Sequence, residues 1–366
     1  MKKIQDAIIY QNTQTYAAFP CLEKCQNGDL LAAFRAAPRE PSIYHFHSQS
    51  QAMLARSTDG GVSWSEPAAI LPDLDLAQQD PHITMLPGGE LLMTAFLWQF
   101  HAACERDSLR DVYMEIQEVK GGIMRCAGII TALSLDNGHT WQDQGKIRIA
   151  DAPRSLWACS AMHSKVVALP DGGILLPCRV ESRAGYLEYL IRSDDQGKSW
   201  CFVSEIVSDQ STEHYNYYDE CFLYRTAGGR LVCFLRCYQE GGLMEICFSD
   251  DDGLHWSKPA VTTVWGYPQS ICRLTGGKAL LTYGYRRPPY GVRARIVDDD
   301  CQGIDSAEEF SVYSVNEAQA RAVGNPTDLG YPSGVELTDG RAIIAYYCYD
   351  LNNFTSCIRA TTISTA

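Results

Sequence analysis

The chain has 366 residues, 46% hydrophobic and 20% charged, enough to bury a full core and with no low-complexity tract. Its formal net charge of −13 argues against nucleic acid and anionic membranes as partners, since both need a basic face. No apolar run of about 18 residues occurs, so no membrane span is expected.

The chain opens Met1-Lys2-Lys3-Ile4-Gln5-Asp6 with no apolar stretch behind it, so no secretory signal is read and a cytoplasmic location is expected. The fifteen cysteines include Cys21/Cys25 and Cys233/Cys237, each pair four residues apart. On a strand that spacing is about 13 Å, too far for a disulfide or a shared metal, so buried free thiols are expected.

Two patterns then recur along the chain. The first is a Gly turn followed by an apolar strand, at Gly28, Gly89, Gly172, Gly229, Gly277 and Gly340, with separations of 61, 83, 57, 48 and 63 residues. Such turns between apolar runs are hairpin signals, and the spacing suits one four-stranded blade per repeat. The second is Ser-x-Asp-x-Gly-x-x-Trp, at Ser57/Asp59/Gly61/Trp64, Ser134/Asp136/Gly138/Trp141, Ser193/Asp195/Gly197/Trp200 and Ser249/Asp251/Gly253/Trp256, with a degenerate trace at Asp298–Gly303. Its Asp and Ser bond nearby N–H groups, its Gly supplies positive φ and its Trp anchors the turn, so it reads as structure and not chemistry. Six hairpins predict an all-β, six-bladed β-propeller in which residues 1–366 form a single domain. The long interval between Gly89 and Gly172 marks an insertion near His101–Gly121, placed to cover one rim of a site or to contact a second copy in a homo-oligomer. Ser306 to Val323 reads as a short helix or a long loop.

The four Ser-x-Asp-x-Gly-x-x-Trp copies resemble the Asp boxes of the sialidase (neuraminidase) superfamily, and the resemblance covers nearly the whole chain. It implies a sialidase-like propeller with an arginine triad for the substrate carboxylate, a Tyr nucleophile, a Glu that deprotonates it and an Asp acid/base. Three guanidinium groups fix a carboxylate by charge-assisted forks, and a neutral Tyr avoids the repulsion a carboxylate nucleophile would meet. Tyr218-Asp219-Glu220 followed by Gly228-Gly229 and Leu235-Arg236 looks like the Glu strand, hairpin and Arg strand, which implies Glu220 as base and Arg236 as a triad arginine. Asp328-Leu329-Gly330-Tyr331-Pro332-Ser333 falls where the nucleophile lies, which implies Tyr331. The fifth blade offers Arg286, Arg287 and Arg293, with Arg286 preferred because it ends the strand from Ala279 to Tyr285.

Blade one departs from the pattern. Ala18, in Tyr16-Ala17-Ala18-Phe19-Pro20, stands where the first arginine belongs, and Arg35 is the neighbouring candidate to replace it. The loop Pro38–Gln51 lacks an Asp, leaving Glu40, His45 and His47 as the groups able to act as acid/base. Two histidines two apart on a strand would also suit a metal, but no third ligand is evident beyond Asp80 and His82 at the start of blade two; no metal or other cofactor is expected, and Asp80 is taken as a substrate contact. Trp98, Trp157, Tyr215, Tyr217 and Tyr218 are candidates to stack on a sugar. The expected function is an exo-acting retaining glycosidase, preferably a sialidase, with an oligosaccharide or glycoconjugate as partner. A hydrolase or lyase for another acidic sugar and a non-catalytic carbohydrate-binding propeller are the alternatives.

Overall fold

A computed structural model describes residues 1–40, 45–109, 116–150, 162–182, 185–208, 218–238, 241–322 and 324–365. Six small sheets form the six blades of a β-propeller. Listed from the axis outward, blade one is Thr15–Lys24, Leu30–Pro38, Gln51–Ser57 and Ala68–Ala69. Blade two is Ala77–Met85, Leu91–His101, Gly122–Ser134 and Gln142–Lys146. Blade three is Val167–Ala168, Ile174–Ser182, Gly185–Ser193 and Trp200–Ser208, with Ile149–Ala150 added in parallel at its edge. Blade four is Tyr218–Arg225, Leu231–Cys237, Leu243–Ser249 and Ala260–Trp265, and blade five is Gln269–Leu274, Lys278–Tyr285, Tyr290–Asp298 and Glu309–Val315. Blade six is Gly330–Glu336, Ala342–Asp350 and Thr355–Ser364, and its outer strand is Lys2–Gln11 from the other end of the chain. The ring therefore closes by backbone pairing, which abolishes the seam a linear array would leave.

The blades are apolar on both faces because each is packed between two others. Between blades five and six, for example, Leu280, Val292, Ile344 and Tyr346 share one buried cluster. Hairpins fall at the six Gly turns, and the insertion of blade two comprises a 3-10 turn, Ala103–Leu109, and a short strand, Gln117–Val119. Within Ser306 to Val323 the structure has the outer strand Glu309–Val315 and then a helix, Glu317–Ala322.

The Ser-x-Asp turns join the third and outer strands. In blade one Ser57 donates to Asp59 at 2.8 Å, Asp59 accepts from the Val62 and Ser63 N–H groups at 3.0 Å, and Trp64 Nε1 donates to the Gly61 carbonyl at 3.3 Å. The Ser-to-Asp bond repeats at 2.8 Å in the other three copies. Leu30 lies opposite Ser57 while Arg35 lies opposite Ala52, so these turns sit at the hairpin end of the blade, remote from Arg35.

At the other end, four of the six inner strands carry the same irregularity. Their pairing slips between Ala18 and Cys21, Gln79 and His82, Asp219 and Phe222, and Gly330 and Ser333. Within each bulge one non-glycine residue adopts positive φ: Phe19 (59°), Asp80 (44°), Glu220 (48°) and Tyr331 (48°). Such a conformation costs on the order of 1–3 kcal/mol per residue and persists only where the surroundings impose it. Bulges re-aim side chains, and all four of these line a single cavity.

Candidate active site

The second strand of each blade contributes by a simple rule. The residue seven positions after the hairpin Gly is Arg35, Phe96, Arg179, Arg236, Gly284 and Tyr347 in blades one to six. Four of these lie opposite the residue just before the bulge, as the pairs Ala18–Arg35, Gln79–Phe96, Asp219–Arg236 and Gly330–Tyr347. Blade five has glycine there because a Cβ on Gly284 would come within 2.6 Å of the Tyr267 carbonyl. The four bulge residues and three of the seventh-position residues, Phe96, Arg179 and Arg236, line one cavity of about 320 Å³, which His45 also lines.

On one side of this cavity Tyr331 Oη donates to Glu220 Oε1 at 2.5 Å. Arg236 Nη1 donates to Glu220 Oε2 and to Tyr331 Oη, the latter at 3.2 Å, while its Nη2 reaches Tyr238 Oη. Burial pushes the Tyr331 phenol well above its usual range; Arg236 opposes that shift and Asp80 adds to it. The phenol is therefore neutral and needs a base to become a nucleophile, which is what Glu220 can supply. Burial works against the charge of Arg236, but Tyr331, Tyr238 and Asp219 outweigh it and keep the guanidinium protonated.

Arg179 is the second cavity-lining arginine, and it was missed in the sequence; the seventh-position rule would have found it. Its Nε donates to the Tyr218 carbonyl at 2.9 Å and lies 3.8 Å from both Glu188 and Asp219. Burial raises the Glu188 carboxyl to about 8, against the pull of Arg179. At neutral pH Glu188 is thus mostly protonated, so of the two carboxyls beside Arg179 it carries little opposing charge.

Asp80 sits in the cavity with 1% of its surface exposed and with Oδ1 bonded to no protein atom among the described residues. Burial drives its pKa well above the usual carboxylate range; Arg35 and Arg236 oppose this and Asp219 reinforces it. His45 also lines the cavity, and its Nε2 lies 2.9 Å from Asp328 Oδ1.

Several expected residues lie elsewhere. Arg35 is fully buried and is not among the cavity-lining residues; its Nε lies on Ser50 at 2.7 Å, its guanidinium is 5.4 Å from the Tyr16 ring, and its Nη1 and Nη2 bond to no protein atom among the described residues. Arg286 packs against Tyr331, 5.6 Å from its ring centre, with Nε on the Leu329 carbonyl at 3.2 Å. Arg287 is exposed and stacked on Trp265 at 3.9 Å, and Arg293 is locked inside blade five by the Tyr313 and Pro289 carbonyls at 2.9 and 2.8 Å; neither lines the cavity. Glu40 bonds Lys120 of the insertion at 3.0 Å and lies 3.7 Å from His47, so this pair ties the loop to its neighbour and does not line the cavity. The two histidines are not in a strand and turn to different partners, which removes the shared-face geometry a metal would need. Trp98 lines the cavity with its Nε1 unbonded among the described residues, and Gln117 of the insertion forms part of the rim. Tyr218 is buried, donating to Glu245 at 2.5 Å, while Trp157, Tyr215 and Tyr217 lie outside the described residues.

Residues 28–297 match the BNR repeat-like domain family. Among solved structures, a protein of unknown function from Dyadobacter fermentans is similar at 26% identity and TM-score 0.85, covering 99% of this chain and 98% of that one. A sialidase from Streptococcus pneumoniae is similar in fold at 14% identity and TM-score 0.67, over 98% of this chain and 70% of that one. An α-L-arabinanase from Penicillium chrysogenum is similar in fold at 15% identity and TM-score 0.64, over 100% and 99%. No curated protein sequence matches the chain.

Proposed function

The chain belongs to the BNR repeat-like family of the sialidase superfamily, and from that premise we propose that it is an exo-acting glycoside hydrolase that removes a terminal acidic sugar with retention of configuration. The observation that carries this reading is the 2.5 Å bond from Tyr331 to Glu220 under Arg236, placed by two bulged strands of different blades. Glu220 takes the phenolic proton as Tyr331 attacks the anomeric carbon, and a neutral nucleophile suits a substrate that bears a carboxylate of its own. Arg179 and Arg236 supply forked donors for that carboxylate. Phe19, Phe96 and Trp98 add flat apolar surface for the sugar.

A sialoside is the preferred substrate. One observation favours a different acidic sugar: neither Ala18 nor Arg35 is among the residues that line the cavity, so the first blade adds no arginine to its wall. The deciding experiment is release from a fluorogenic α-sialoside beside a panel of other acidic glycosides, for wild type and Tyr331→Phe. Sialic acid release that the mutant loses supports a sialidase. Turnover of another sugar alone supports a hydrolase or lyase for that sugar, and sugar binding without any turnover overturns the enzyme in favour of a binding propeller.

A further inference from the structure

We infer that His45 and the buried Asp328 form a dyad that delivers the proton to the leaving group, with His45 as the acid/base and Asp328 as its positioning residue. This rests on the glycosidase reading and adds to it the group that the Pro38–Gln51 loop leaves unassigned.

Asp328 lies two residues before the last inner strand, and its side chain is wholly buried. It accepts from Tyr16 Oη at 2.9 Å, from Tyr347 Oη at 2.9 Å, from Tyr349 Oη at 2.5 Å and from the His45 ring at 2.9 Å. Oδ1 takes the Tyr16, Tyr347 and His45 contacts and Oδ2 the Tyr349 bond, with Tyr16 also 3.2 Å from Oδ2, so both oxygens are engaged as acceptors. Burial alone would raise its pKa, but His45 and the Tyr349 and Tyr347 hydroxyls outweigh it and hold the group below the usual carboxylate range. Asp328 is therefore an acceptor only. The hydrogen in its contact with His45 must come from Nε2, which fixes the tautomer of the neutral ring. Nδ1 is left as the working atom, and no protein atom among the described residues bonds to it.

Location separates His45 from the other proton carriers. In an exo pocket the leaving group points to solvent, so its proton donor belongs at the mouth. His45 keeps 41% of its side chain exposed while lining the cavity, whereas Asp80 lies on the floor with 1% of its surface exposed. Tyr16 stacks on the His45 ring at 6.0 Å and the edge of Phe19 meets it at 5.6 Å, so the ring is held on two sides.

The protons balance over two steps. As Tyr331 bonds to the anomeric carbon, its proton passes to Glu220, and the His45 imidazolium gives its Nδ1 proton to the glycosidic oxygen as that C–O bond breaks. Water then attacks the tyrosyl glycoside and yields a proton to His45, while Glu220 returns its proton to the departing Tyr331 oxygen.

The test compares wild type, His45→Gln and Asp328→Asn on glycosides of one sugar whose leaving groups range from nitrophenol to a second sugar. Proton transfer of this kind contributes about 10²–10⁴-fold, so His45→Gln should lose that much kcat/KM on the sugar leaving group and little on nitrophenol. Equal loss on all leaving groups, or none, overturns the assignment. Nitrogen NMR of the imidazoles needs no turnover: a protonated Nε2 and a bare Nδ1 at alkaline pH support the dyad, and the opposite tautomer overturns it. His45 is part-exposed, so its variant tests the idea even where Asp328→Asn does not fold. If wild type turns over no glycoside, the hydrolase reading fails, and the NMR result still decides the dyad.

Discussion

Asp59 and Asp80 are the same residue type in successive blades of one fold, yet their surroundings treat them in opposite ways. Asp59, in the hairpin-end turn, is exposed, and the hydroxyl and backbone N–H of Ser63 with the hydroxyl of Ser57 hold its carboxyl at about 2. Asp80, at the other end, is buried on a bulge at positive φ, with one oxygen bonded to no protein atom among the described residues and its pKa pushed up. The first carboxylate is used up by its own turn. The second is held in a strained, under-bonded state, and such groups cluster where chemistry is done. A recurring motif with carboxylates thus marks the scaffold, and the non-recurring residues at equivalent bulges line the candidate site.

The largest effect that could break this contrast comes from the bulge residues themselves. Tyr331→Phe should reduce turnover to background, and Glu220→Gln should lower kcat/KM by about 10²–10⁴-fold, the usual worth of a positioned base. Thermal unfolding of both should stay cooperative. Retained activity in Tyr331→Phe would move the site away from the bulges. Arg179→Lys keeps the charge beside Glu188 but removes the fork; loss of a charge-assisted bond worth about 1.5–3 kcal/mol should raise KM for the acidic sugar roughly 10- to 100-fold.

Glu188 gives a pH signature for the same end of the blade. Its carboxyl ionises at about 8, and the new negative charge then competes with substrate for Arg179. KM for an acidic sugar should therefore rise above pH 8, and Glu188→Gln should flatten that rise. A KM that is level through pH 9 in wild type would remove Glu188 from control of the site.

The two aspartates should also respond oppositely in stability. Asp80 has a folded pKa above its unfolded value, so its favourable contribution is present below the ordinary carboxylate range and is lost as pH rises through the folded pKa. Asp80→Asn should thus raise Tm at neutral pH, by a margin that shrinks towards pH 3. Asp59 has a depressed folded pKa, so its contribution is present above the unfolded value and is lost as pH falls through about 2. Asp59→Asn should lower Tm at neutral pH, and that deficit should fade in acid. Parallel pH dependences would dissolve the contrast.

The fold could be read from the chain because its markers are local: each hairpin and each Ser-x-Asp turn is specified within about eight residues. Glu220, Arg236 and Tyr331 were picked out by resemblance to the sialidase motifs, and the structure brings all three to one cavity; each also sits at a fixed offset from a hairpin. Closure by Lys2–Gln11 was not legible, because an outer strand carries neither turn nor bulge and its partner lies at the other end of the chain. Arg179 obeys the seventh-position rule, but no matching inner-strand segment precedes its hairpin to draw attention to it. The contact between His45 and Asp328 spans 283 residues and depends on a loop of blade one meeting blade six across the closed ring, which no local pattern records.

The smallest expected effect is the one that separates the groups on that loop. Glu40 and His45 are five residues apart, and both are titratable. Glu40 is half-buried, and its hydrogen bond with the exposed Lys120 keeps its carboxyl below the usual range, so it stays ionised through the working pH and carries no proton to give. Exposed ion pairs of this kind contribute little, because water screens them and long side chains must be ordered to make them. Glu40→Gln should leave Tm and the dependence of kcat/KM on the leaving group as they are in wild type, while His45→Gln changes the second of these strongly. A Glu40→Gln enzyme that also lost its slow-leaving-group substrates would show that the loop acts as a unit, held to the insertion through Lys120, and the distinction between a carboxylate used up by its surroundings and a group left free at the cavity would no longer predict which residues do the chemistry.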